Sequence, residues 1–491
     1  MFDWTIGLLT LPALERLADL IALFVRSGDL ILLEGDLGAG KTTFARAFLR
    51  ALANDPALEV PSPTFALMQS YETPRLAVHH FDLYRLSGPN EVREIGFDEA
   101  QASGLVLVEW PDRAGDLLAA ERLILRLADG PASDNRLVSL HGAGAWAERL
   151  AHIERVFGFL EATAWRAATI SHLAGDASRR SYARLRSGDA TALLMDSPPL
   201  PAHPIVKDGK PYWAIARSAP DVRSFVAVGA ALADYGLSVP AILAADAPNG
   251  LLLVEDLGDR TFDAALREGL PMRDLYRAAA DVLVALAQHP APAFLPPYDL
   301  DALLIECRLL LDWYWPHVTG RAPSPAQVCE FEELWTEALA PILAQPPAWV
   351  LRDVHSPNLL WLPERSGLRR VGLIDFQDAL AGHSAYDLAS LLFDARLDVP
   401  AAVEASLYAH YLAQRRARDP AFDEPSFRLA YATLAAQRNT KILGIFARLA
   451  KRDGKPGYIK HFPRLRSYLL RALAHEGLAD LRDWYRHNLP G

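Results

Sequence analysis

The chain has 491 residues, a formal net charge of −10 at pH 7, and 51% hydrophobic and 22% charged residues. This length predicts two or three domains, and this composition excludes a disordered chain. No apolar run reaches the roughly 18 residues that a membrane-spanning helix needs, so we expect no membrane association. The acidic balance argues against bulk electrostatic binding of nucleic acid. Two cysteines without a disulfide or metal-ligand pattern, and no recognisable signal peptide, indicate a cytoplasmic protein.

The first predicted elements are an apolar strand, a glycine-rich loop and a helix, which read DLILLEGDLGAGKTTFARAFLRAL from Asp29. The loop matches the pattern G-x-x-x-x-G-K-[ST], in which backbone N–H groups surround phosphates. Lys41 would reach the β- and γ-phosphates of ATP, and the Thr42 hydroxyl would bind Mg²⁺. The helix that starts at Lys41 directs its positive end at the anion. The predicted nucleotide-binding residues of this loop are Gly35, Gly38, Gly40, Lys41, Thr42 and Thr43.

Short apolar strands predicted at 75–81, 104–109 and 121–127 complete an α/β domain that ends near residue 145. The segment 129–144 is rich in loop-forming residues, and helical periodicity begins after it. We therefore place a domain boundary in this part of the chain.

Two acidic residues, Asp82 and Glu109, lie at the ends of predicted strands. A carboxylate near a phosphate-binding loop can bind Mg²⁺ or orient the attacking water of ATP hydrolysis. The structural alternatives are a helix cap for Asp82 and a surface salt bridge for Glu109. The adjacent His79 and His80 would point to opposite faces of a strand, so we do not expect them to share a metal ion.

These motifs together resemble TsaE, the ATPase subunit of the bacterial machinery that makes threonylcarbamoyladenosine in tRNA. The resemblance covers about residues 5–145. It implies that Asp82 and Glu109 act at the metal and at the attacking water, and that Ser62 and Thr64 lie in a nucleotide-sensing loop. It also implies ATP, Mg²⁺, a TsaB–TsaD-type partner pair and, through that pair, tRNA. The motifs that carry it are GDLGAGKTT (35–43), SPTF (62–65), HHFDLYRL (79–86) and VEWPDR (108–113).

The second part of the chain begins with strand-like pieces. SYARLR and TALLMD flank a SGDA turn and predict a hairpin, and WAIAR (213–217) also reads as a strand. A helix at 221–235 and the strand LLLVEDLG follow. After about residue 258 long amphipathic helices dominate, interrupted only at 350–376. A small mixed lobe followed by a larger helical lobe is the order of a bilobal kinase.

The interrupting region carries a phosphotransfer signature, LRDVHSPNLLW (351–361) followed by VGLIDFQDAL (371–380). Asp353 is placed to accept the proton of a substrate hydroxyl, Asn358 to bind Mg²⁺, and Asp375 to bridge Mg²⁺ to the phosphates. Asp387, in YDLASLL, would either tether this loop or cap a helix.

The predicted small lobe departs from the usual kinase pattern because its candidate strand, TALLMDSPP, has no lysine for the phosphates. The preceding turn carries Arg179, Arg180 and Arg184, one of which could replace it, and we assign Arg180 to nucleotide binding. Solvated surface arginines are the alternative. Backbone groups near Glu255 and Leu257, where the lobes should hinge, would bind adenine.

This half resembles the aminoglycoside phosphotransferase-like kinases and, within them, the AmgK-like kinases of N-acetylmuramate and N-acetylglucosamine, over about residues 155–491. The resemblance implies a sugar 1-phosphate product that serves peptidoglycan recycling. The family usually has a histidine two positions before the base, where this chain has Leu351, and His355 lies inside the loop instead. Glu306 and Trp313 are seven apart and should share a helix face. The candidate sugar-binding residues are Glu306, Trp313, Tyr314 and His355.

The predicted fold is therefore α/β. An N-terminal P-loop NTPase domain (1–148) precedes a bilobal, protein-kinase-like α+β domain (156–491), with a small lobe at about 156–258 and a helical lobe at about 259–491. The predicted function is ATP hydrolysis for tRNA modification in the first half and sugar phosphorylation in the second. Two alternatives stay open: another hydroxyl acceptor (an aminoglycoside, choline or homoserine), or one half that is a non-catalytic nucleotide-binding module.

Overall fold

The computed structural model describes residues 1–132, 134–173, 180–198 and 204–489. Strands and helices alternate in the N-terminal third, as predicted. Within the described residues, no helix is both long and apolar enough to cross a membrane. The first elements are β1 (Phe2–Thr10), α1 (Leu11–Phe24), β2 (Leu30–Glu34), α2 (Lys41–Ala53), β3 (Met68–Glu72), β4 (Ala77–Asp82), α3 (Pro89–Glu94), α4 (Phe97–Ser103), β5 (Leu105–Glu109), β6 (Arg122–Asp129), β7 (Asn135–Ala143) and α5 (Ala145–Glu161).

These strands form one seven-stranded sheet in the order β1-β7-β6-β2-β5-β4-β3. The four central strands, β6, β2, β5 and β4, are parallel. The carboxyl ends of parallel strands meet at one edge of a sheet, where open α/β sheets bind their ligands. The glycine-rich loop after β2 and the acidic ends of β4 and β5 therefore lie along the same edge.

The expectation of a loop-rich segment at 129–144 is wrong, because β7 occupies 135–143. This strand pairs with β6 on one side and with β1 on the other. Its buried residues alternate, with Val138, Leu140 and Gly142 on the core side. Hydrogen bonds from two partner strands stabilise a segment whose own composition favours turns.

A second, five-stranded antiparallel sheet has the order β13-β14-β10-β9-β8. The predicted hairpin is confirmed: β9 and β10 pair from Ser181–Asp196 to Ser187–Ala190. The strand expected at WAIAR is wrong, because Tyr212–Ile215 is a short helix. The elements here are β8 (Thr169–Leu173), β9 (Ser181–Ser187), β10 (Ala190–Asp196), β11 (Ile205–Lys207), β12 (Lys210–Pro211), α6 (Tyr212–Ile215), α7 (Arg223–Asp234), β13 (Ile242–Asp246) and β14 (Leu251–Glu255).

The remainder is mostly helical, so the chain is an α/β P-loop fold followed by a kinase-like α+β fold, as predicted. Two short antiparallel pairs, β15 with β18 and β16 with β17, interrupt the helices. The elements are α8 (Phe262–Arg267), α9 (Met272–Leu286), α10 (Leu300–Leu309), α11 (Trp315–Thr319), α12 (Pro325–Leu343), β15 (Ala348–Val350), β16 (Leu359–Trp361), β17 (Val371–Leu373), β18 (Leu380–Gly382), α13 (Ala385–Leu392), α14 (Ala401–Arg418), α15 (Glu424–Lys451), α16 (Phe462–Ala472) and α17 (Ala479–Asn488).

The helix predicted over ECRLLLDWYWPH contains one π-helical turn, Leu310–Tyr314, between α10 and α11. Pro316 lies two residues beyond this turn, and proline has no N–H and clashes with the carbonyl four residues earlier, which explains the local rewinding. Glu306 and Trp313 therefore lie on either side of a change in helix period. Glu306 is fully buried, whereas Trp313 is partly exposed.

The chain divides into two compact units, one of Met1–Pro198 with Ile242–Asp256 and one of Pro199–Ala241 with Leu257–Gly491. In the first unit, both sheets contribute to one shared core cluster. One face of the smaller sheet, including Leu185 on β9 and Leu194 on β10, joins the same cluster as Leu17 of α1 and Ile153 of α5. The proposed domain boundary at 148–156 falls within α5.

Candidate active sites

The glycine-rich loop has a backbone that only glycine adopts without strain. Gly35, Gly38 and Gly40 have φ of 148°, 82° and 105°. A Cβ on Gly35 would lie 2.4 Å from the carbonyl oxygen of Leu127. Gly40 precedes the first residue of α2, so the loop ends at a helix N-terminus, where backbone N–H groups lack partners within the helix. This local geometry suits a bound phosphate.

The Lys41 side chain reaches back over the glycine-rich loop that precedes it. Its Nζ donates to the carbonyl oxygens of Gly35 (2.7 Å) and Asp36 (2.9 Å) and lies 3.8 Å from the centre of the Trp110 ring. Burial lowers the pKa of Lys41, against the opposing effect of Glu109. The ammonium group therefore lies between the phosphate loop and the end of β5.

The two predicted carboxylates are neighbours, because Asp82 and Glu109 pair in register on parallel strands. Both are buried. Asp82 Oδ2 accepts hydrogen bonds from Thr64 (2.7 Å) and Ser62 (3.0 Å), and Glu109 Oε2 accepts one from Thr42 (3.0 Å). Burial excludes the surface salt bridge for Glu109, and Asp82 ends a strand rather than capping a helix.

Nine of the predicted residues line one cavity of about 270 Å³. Its threonine hydroxyl and two carboxylates are oxygen groups of the kind that Mg²⁺ prefers, and the glycine-rich loop can bind the phosphates. The residues present therefore fit MgATP. Leu37 and Tyr84 also line it and were not predicted. The lining residues are Leu37, Gly38, Gly40, Lys41, Thr42, Thr43, Ser62, Thr64, Asp82, Tyr84, Glu109 and Trp110.

The second site lies in the second unit, on the loop between β15 and β16. Asp353, Asn358 and Asp375 line one small cleft there. The Asn358 side-chain amide donates to the backbone oxygen of Asp353 (3.0 Å) and lies 3.4 Å from Asp375 Oδ2. An amide oxygen and a carboxylate are ligands for a Mg²⁺ that also binds phosphates, so these residues fit the predicted metal.

Asp387 tethers the catalytic loop, which settles the two alternatives for this residue. Its carboxylate accepts hydrogen bonds from the backbone N–H groups of Leu351 (2.6 Å) and Arg352 (2.9 Å). Arg352 has a φ of 71°, a left-handed conformation that costs energy outside glycine and that this tether holds in place. Asp387 therefore supports the loop in which Leu351 replaces the family's usual histidine.

Asp353, the candidate base, is contacted by a residue that the sequence did not reveal. The Arg438 guanidinium lies 3.4 Å from Asp353 Oδ1 and donates to the backbone oxygen of Arg352 (2.6 Å). Although burial opposes it, Arg438 together with Lys441 holds the pKa of Asp353 well below its usual range. Arg438 and Lys441 lie near the middle of α15, and this charged pair is the sequence signal that could have indicated the contact.

Glu306 lies beneath the catalytic loop rather than in an open pocket. It is fully buried, and its carboxylate contacts Arg352, Lys441 (2.8 Å) and Tyr298. Tyr314 is also buried, at 2% exposure, and packs edge-on against Phe462. Neither side chain is available to form a sugar wall, because each is enclosed by protein. Of the helix candidates, only the partly exposed Trp313 stays a sugar-binding prediction.

His355 has two different nitrogen environments. Its Nε2 lies 3.4 Å from the Asn358 amide nitrogen, and its buried Nδ1 has no hydrogen-bond partner in the described part of the chain. Burial lowers its pKa, against the effect of Asp394. His355 is thus next to a metal-binding candidate, and its contact with substrate stays a prediction.

The residues predicted to bind nucleotide in the small lobe lie on separate elements. Arg180, Arg184 and Glu255 belong to the first unit, and Leu257 belongs to the second. Arg184 forms an ion pair with Asp256, with Nε 2.7 Å from Oδ2. Arg180 lies just before β9, and Arg179 is outside the described residues. Glu255 ends β14 opposite Ala192. The nucleotide-binding roles of Arg180, Glu255 and Leu257 stay predictions.

Comparison with known proteins divides the chain in two. Residues 10–137 match the family model of the threonylcarbamoyl adenosine biosynthesis protein TsaE, and residues 169–427 match that of the phosphotransferase enzyme family. The N-acetylmuramate/N-acetylglucosamine kinase of Caulobacter vibrioides is 39% identical over 350 residues, which covers 68% of this chain and 95% of that protein.

Two further relatives agree with this division. The protein of the same name from Pseudomonas aeruginosa is 34% identical and covers 63% of this chain and 85% of its own length. The TsaE protein of Rickettsia prowazekii is 37% identical over 129 residues, 26% of this chain and 87% of that protein. The chain is a fusion that belongs through its N-terminal part to the TsaE family and through its larger part to the phosphotransferase enzyme family.

Proposed function

We propose that the kinase half transfers the γ-phosphoryl group of ATP to the anomeric hydroxyl of N-acetylmuramate or N-acetylglucosamine, in the cytoplasm. The grouping of Asp353, Asn358 and Asp375 in one cleft carries this proposal. The name of the Caulobacter relative supports the choice of sugar. The product would be a sugar 1-phosphate, which suits the recycling of cell-wall sugars.

In this proposal Asp353 accepts a hydrogen bond from the sugar hydroxyl and takes its proton as the new oxygen–phosphorus bond forms and the bond to ADP breaks. Its lowered pKa makes Asp353 a weak base, so proton transfer comes late. An anomeric hydroxyl is more acidic than other sugar hydroxyls, which suits a weak base. Asn358 and Asp375 would hold Mg²⁺, which neutralises charge on the phosphates.

The charges around Asp353 bear on the choice between this acceptor and an aminoglycoside. An aminoglycoside is a polycation, and its pocket should be acidic. The charged groups that act most strongly on Asp353 are the cations Arg438 and Lys441. Within the part of the chain that the structure describes, the lining of the cleft includes Asp353 and Asp375 and no basic residue, so its charge does not exclude an aminoglycoside, and competition between acceptors decides.

The test is ADP release by the purified chain with N-acetylmuramate, N-acetylglucosamine or kanamycin. We expect an acetamido sugar to stimulate turnover, Asp353→Asn to abolish the stimulation, and Lys41→Ala to retain it. Stimulation by kanamycin alone would replace the sugar with an aminoglycoside. No stimulation by any acceptor would favour a non-catalytic module in this half.

We further propose that the N-terminal half hydrolyses ATP to support a TsaB–TsaD-type partner pair in the synthesis of threonylcarbamoyladenosine in tRNA. The cavity that joins Lys41, Thr42, Asp82 and Glu109 supports this role. The expected result is modified tRNA in a reaction of this chain with that pair, lost on Lys41→Ala. Nucleotide binding without turnover, with or without the pair, would instead indicate a regulatory module.

A further inference from the structure

The two consecutive histidines on β4 have opposite environments. His79 is partly exposed, and its ring nitrogens contact the hydroxyls of Ser70 (2.8 Å) and Ser103 (3.0 Å). His80 is fully buried, and its Nε2 lies 3.1 Å from Glu109 Oε1. Because neighbouring side chains on a strand point to opposite faces, only His80 can reach the carboxylate at the end of β5.

Each oxygen of the Glu109 carboxylate has one partner. Oε1 contacts His80, and Oε2 accepts a hydrogen bond from the Thr42 hydroxyl at 3.0 Å. These contacts therefore link His80, inside the sheet, through Glu109 to Thr42 in the first turn of α2. Two partners on opposite oxygens fix the rotation of the carboxylate, which a single contact would leave free.

The second nitrogen of His80 indicates which tautomer forms. Its Nδ1 is buried and has no hydrogen-bond partner in the described part of the chain. A buried N–H without an acceptor is costly, whereas the lone pair of an unprotonated ring nitrogen is easier to bury. The proton therefore belongs on Nε2, and the Glu109 carboxylate is the one group that accepts it.

We propose that His80 is a positioning residue of the N-terminal ATPase, where it holds Glu109 Oε1 so that Oε2 faces Thr42 and the cavity. This inference rests on the proposed ATP hydrolysis in this half. Groups that hold a metal-binding or catalytic carboxylate typically change activity by about 10–100-fold when they are removed. His80 does not line the cavity, so its removal should alter turnover rather than nucleotide affinity.

The test compares His80→Phe with His79→Phe in the full chain without any sugar. Phenylalanine preserves the ring volume and removes the N–H donor. We expect His80→Phe to lower single-turnover ATP hydrolysis by about 10–100-fold. ATP affinity, read as the equilibrium binding that Lys41→Ala removes, should stay within about twofold, and His80→Gln, which retains an N–H donor, should recover part of the rate. His79→Phe should match the wild type in both measurements.

The possible failures are distinguishable. If Lys41→Ala does not lower sugar-free hydrolysis, the proposed ATPase fails and the inference fails with it. If Lys41→Ala lowers hydrolysis but His80→Phe behaves like His79→Phe, the ATPase stands and the role of His80 is overturned. Equal losses of affinity and turnover in His80→Phe, with a lowered melting temperature, would assign His80 to the fold alone.

Discussion

The two sites hold their acidic residues by different means. In the first unit, Asp82 and Glu109 end adjacent parallel strands, and they are oriented by hydroxyls of α2 and of the loop after it and by a histidine of β4. In the second unit, Asp353 lies on an irregular loop with a left-handed residue beside it. The strand order of a sheet fixes where its carboxylates lie, whereas an irregular loop needs buried charged side chains to hold its backbone in place.

Those buried charges come from distant elements. Arg438 of α15 contacts both Asp353 and the backbone of Arg352, and Asp387 of α13 holds the same backbone from another side. The kinase site therefore depends on long-range ionic contacts, and the phosphate-loop site on local strand order. This comparison predicts that charge removal damages the second site more than the first.

The largest expected effect is on sugar phosphorylation. Asp353→Asn removes the proposed proton acceptor, and we expect the rate to fall by about 10²–10⁴-fold. The measurement is the rate at which sugar 1-phosphate forms. A fall of less than tenfold would mean that Asp353 is not the base and that the two sites differ less than we infer.

The second prediction concerns the ionic support of the loop. Glu306→Gln leaves Arg352 and Lys441 buried without their carboxylate, which should destabilise the second unit by about 3–5 kcal/mol. The control is Glu332→Gln, whose partner Arg308 and own side chain are both 41% exposed, and which should cost about 1 kcal/mol or less. For both variants, urea unfolding measures the free energy of unfolding, and hydrogen exchange measures local opening of α15. Equal effects would show that burial of the Glu306 cluster contributes little.

The third prediction tests the core that the two sheets of the first unit share. Leu185→Ala on β9 should cost about 2–5 kcal/mol through lost packing and a cavity. Because Leu185 is fully buried in the cluster that includes Ile31 and Leu33 of β2, hydrogen exchange should accelerate in β2 as well as in β9. The control is Leu137→Ala, since Leu137 is 46% exposed. Acceleration confined to β9 would show that the sheets unfold separately.

The smallest effect concerns pH. Burial raises the pKa of Asp19, on α1 beside the backbone of Ile170, to about 7 from an ordinary value near 3.8. The folded chain then holds a proton that the unfolded chain has lost, so this stabilising contribution is present below about pH 4 and is lost as the pH rises towards 7.

Asp19→Asn removes this dependence, so its melting temperature relative to the wild type should rise between pH 5 and pH 8. The exposed Asp116→Asn should show no such trend. A constant difference between Asp19→Asn and the wild type across this range would mean that Asp19 titrates normally.

By itself the sequence determined the chemistry that depends on short spacing. The conformation of the loop from Gly35 to Lys41 is local, because glycine φ values are set within a few residues. The spacing from Asp353 to Asn358 is likewise readable from the sequence, although distant side chains hold that loop in place. The resemblance to two families followed from these motifs and was confirmed over both halves. The strand that precedes the loop and the helix that follows it were predictable for the same reason.

Only the tertiary structure decided what depends on distant partners. β7 forms because β1 and β6 flank it, and Glu306 is a buried ion-pair partner because α10 lies against α15. Arg438 meets Asp353 across 85 positions of the chain, and His80 meets Glu109 across 29. Periodicity and composition report which face of an element is apolar, but they carry no information on which other element will cover it.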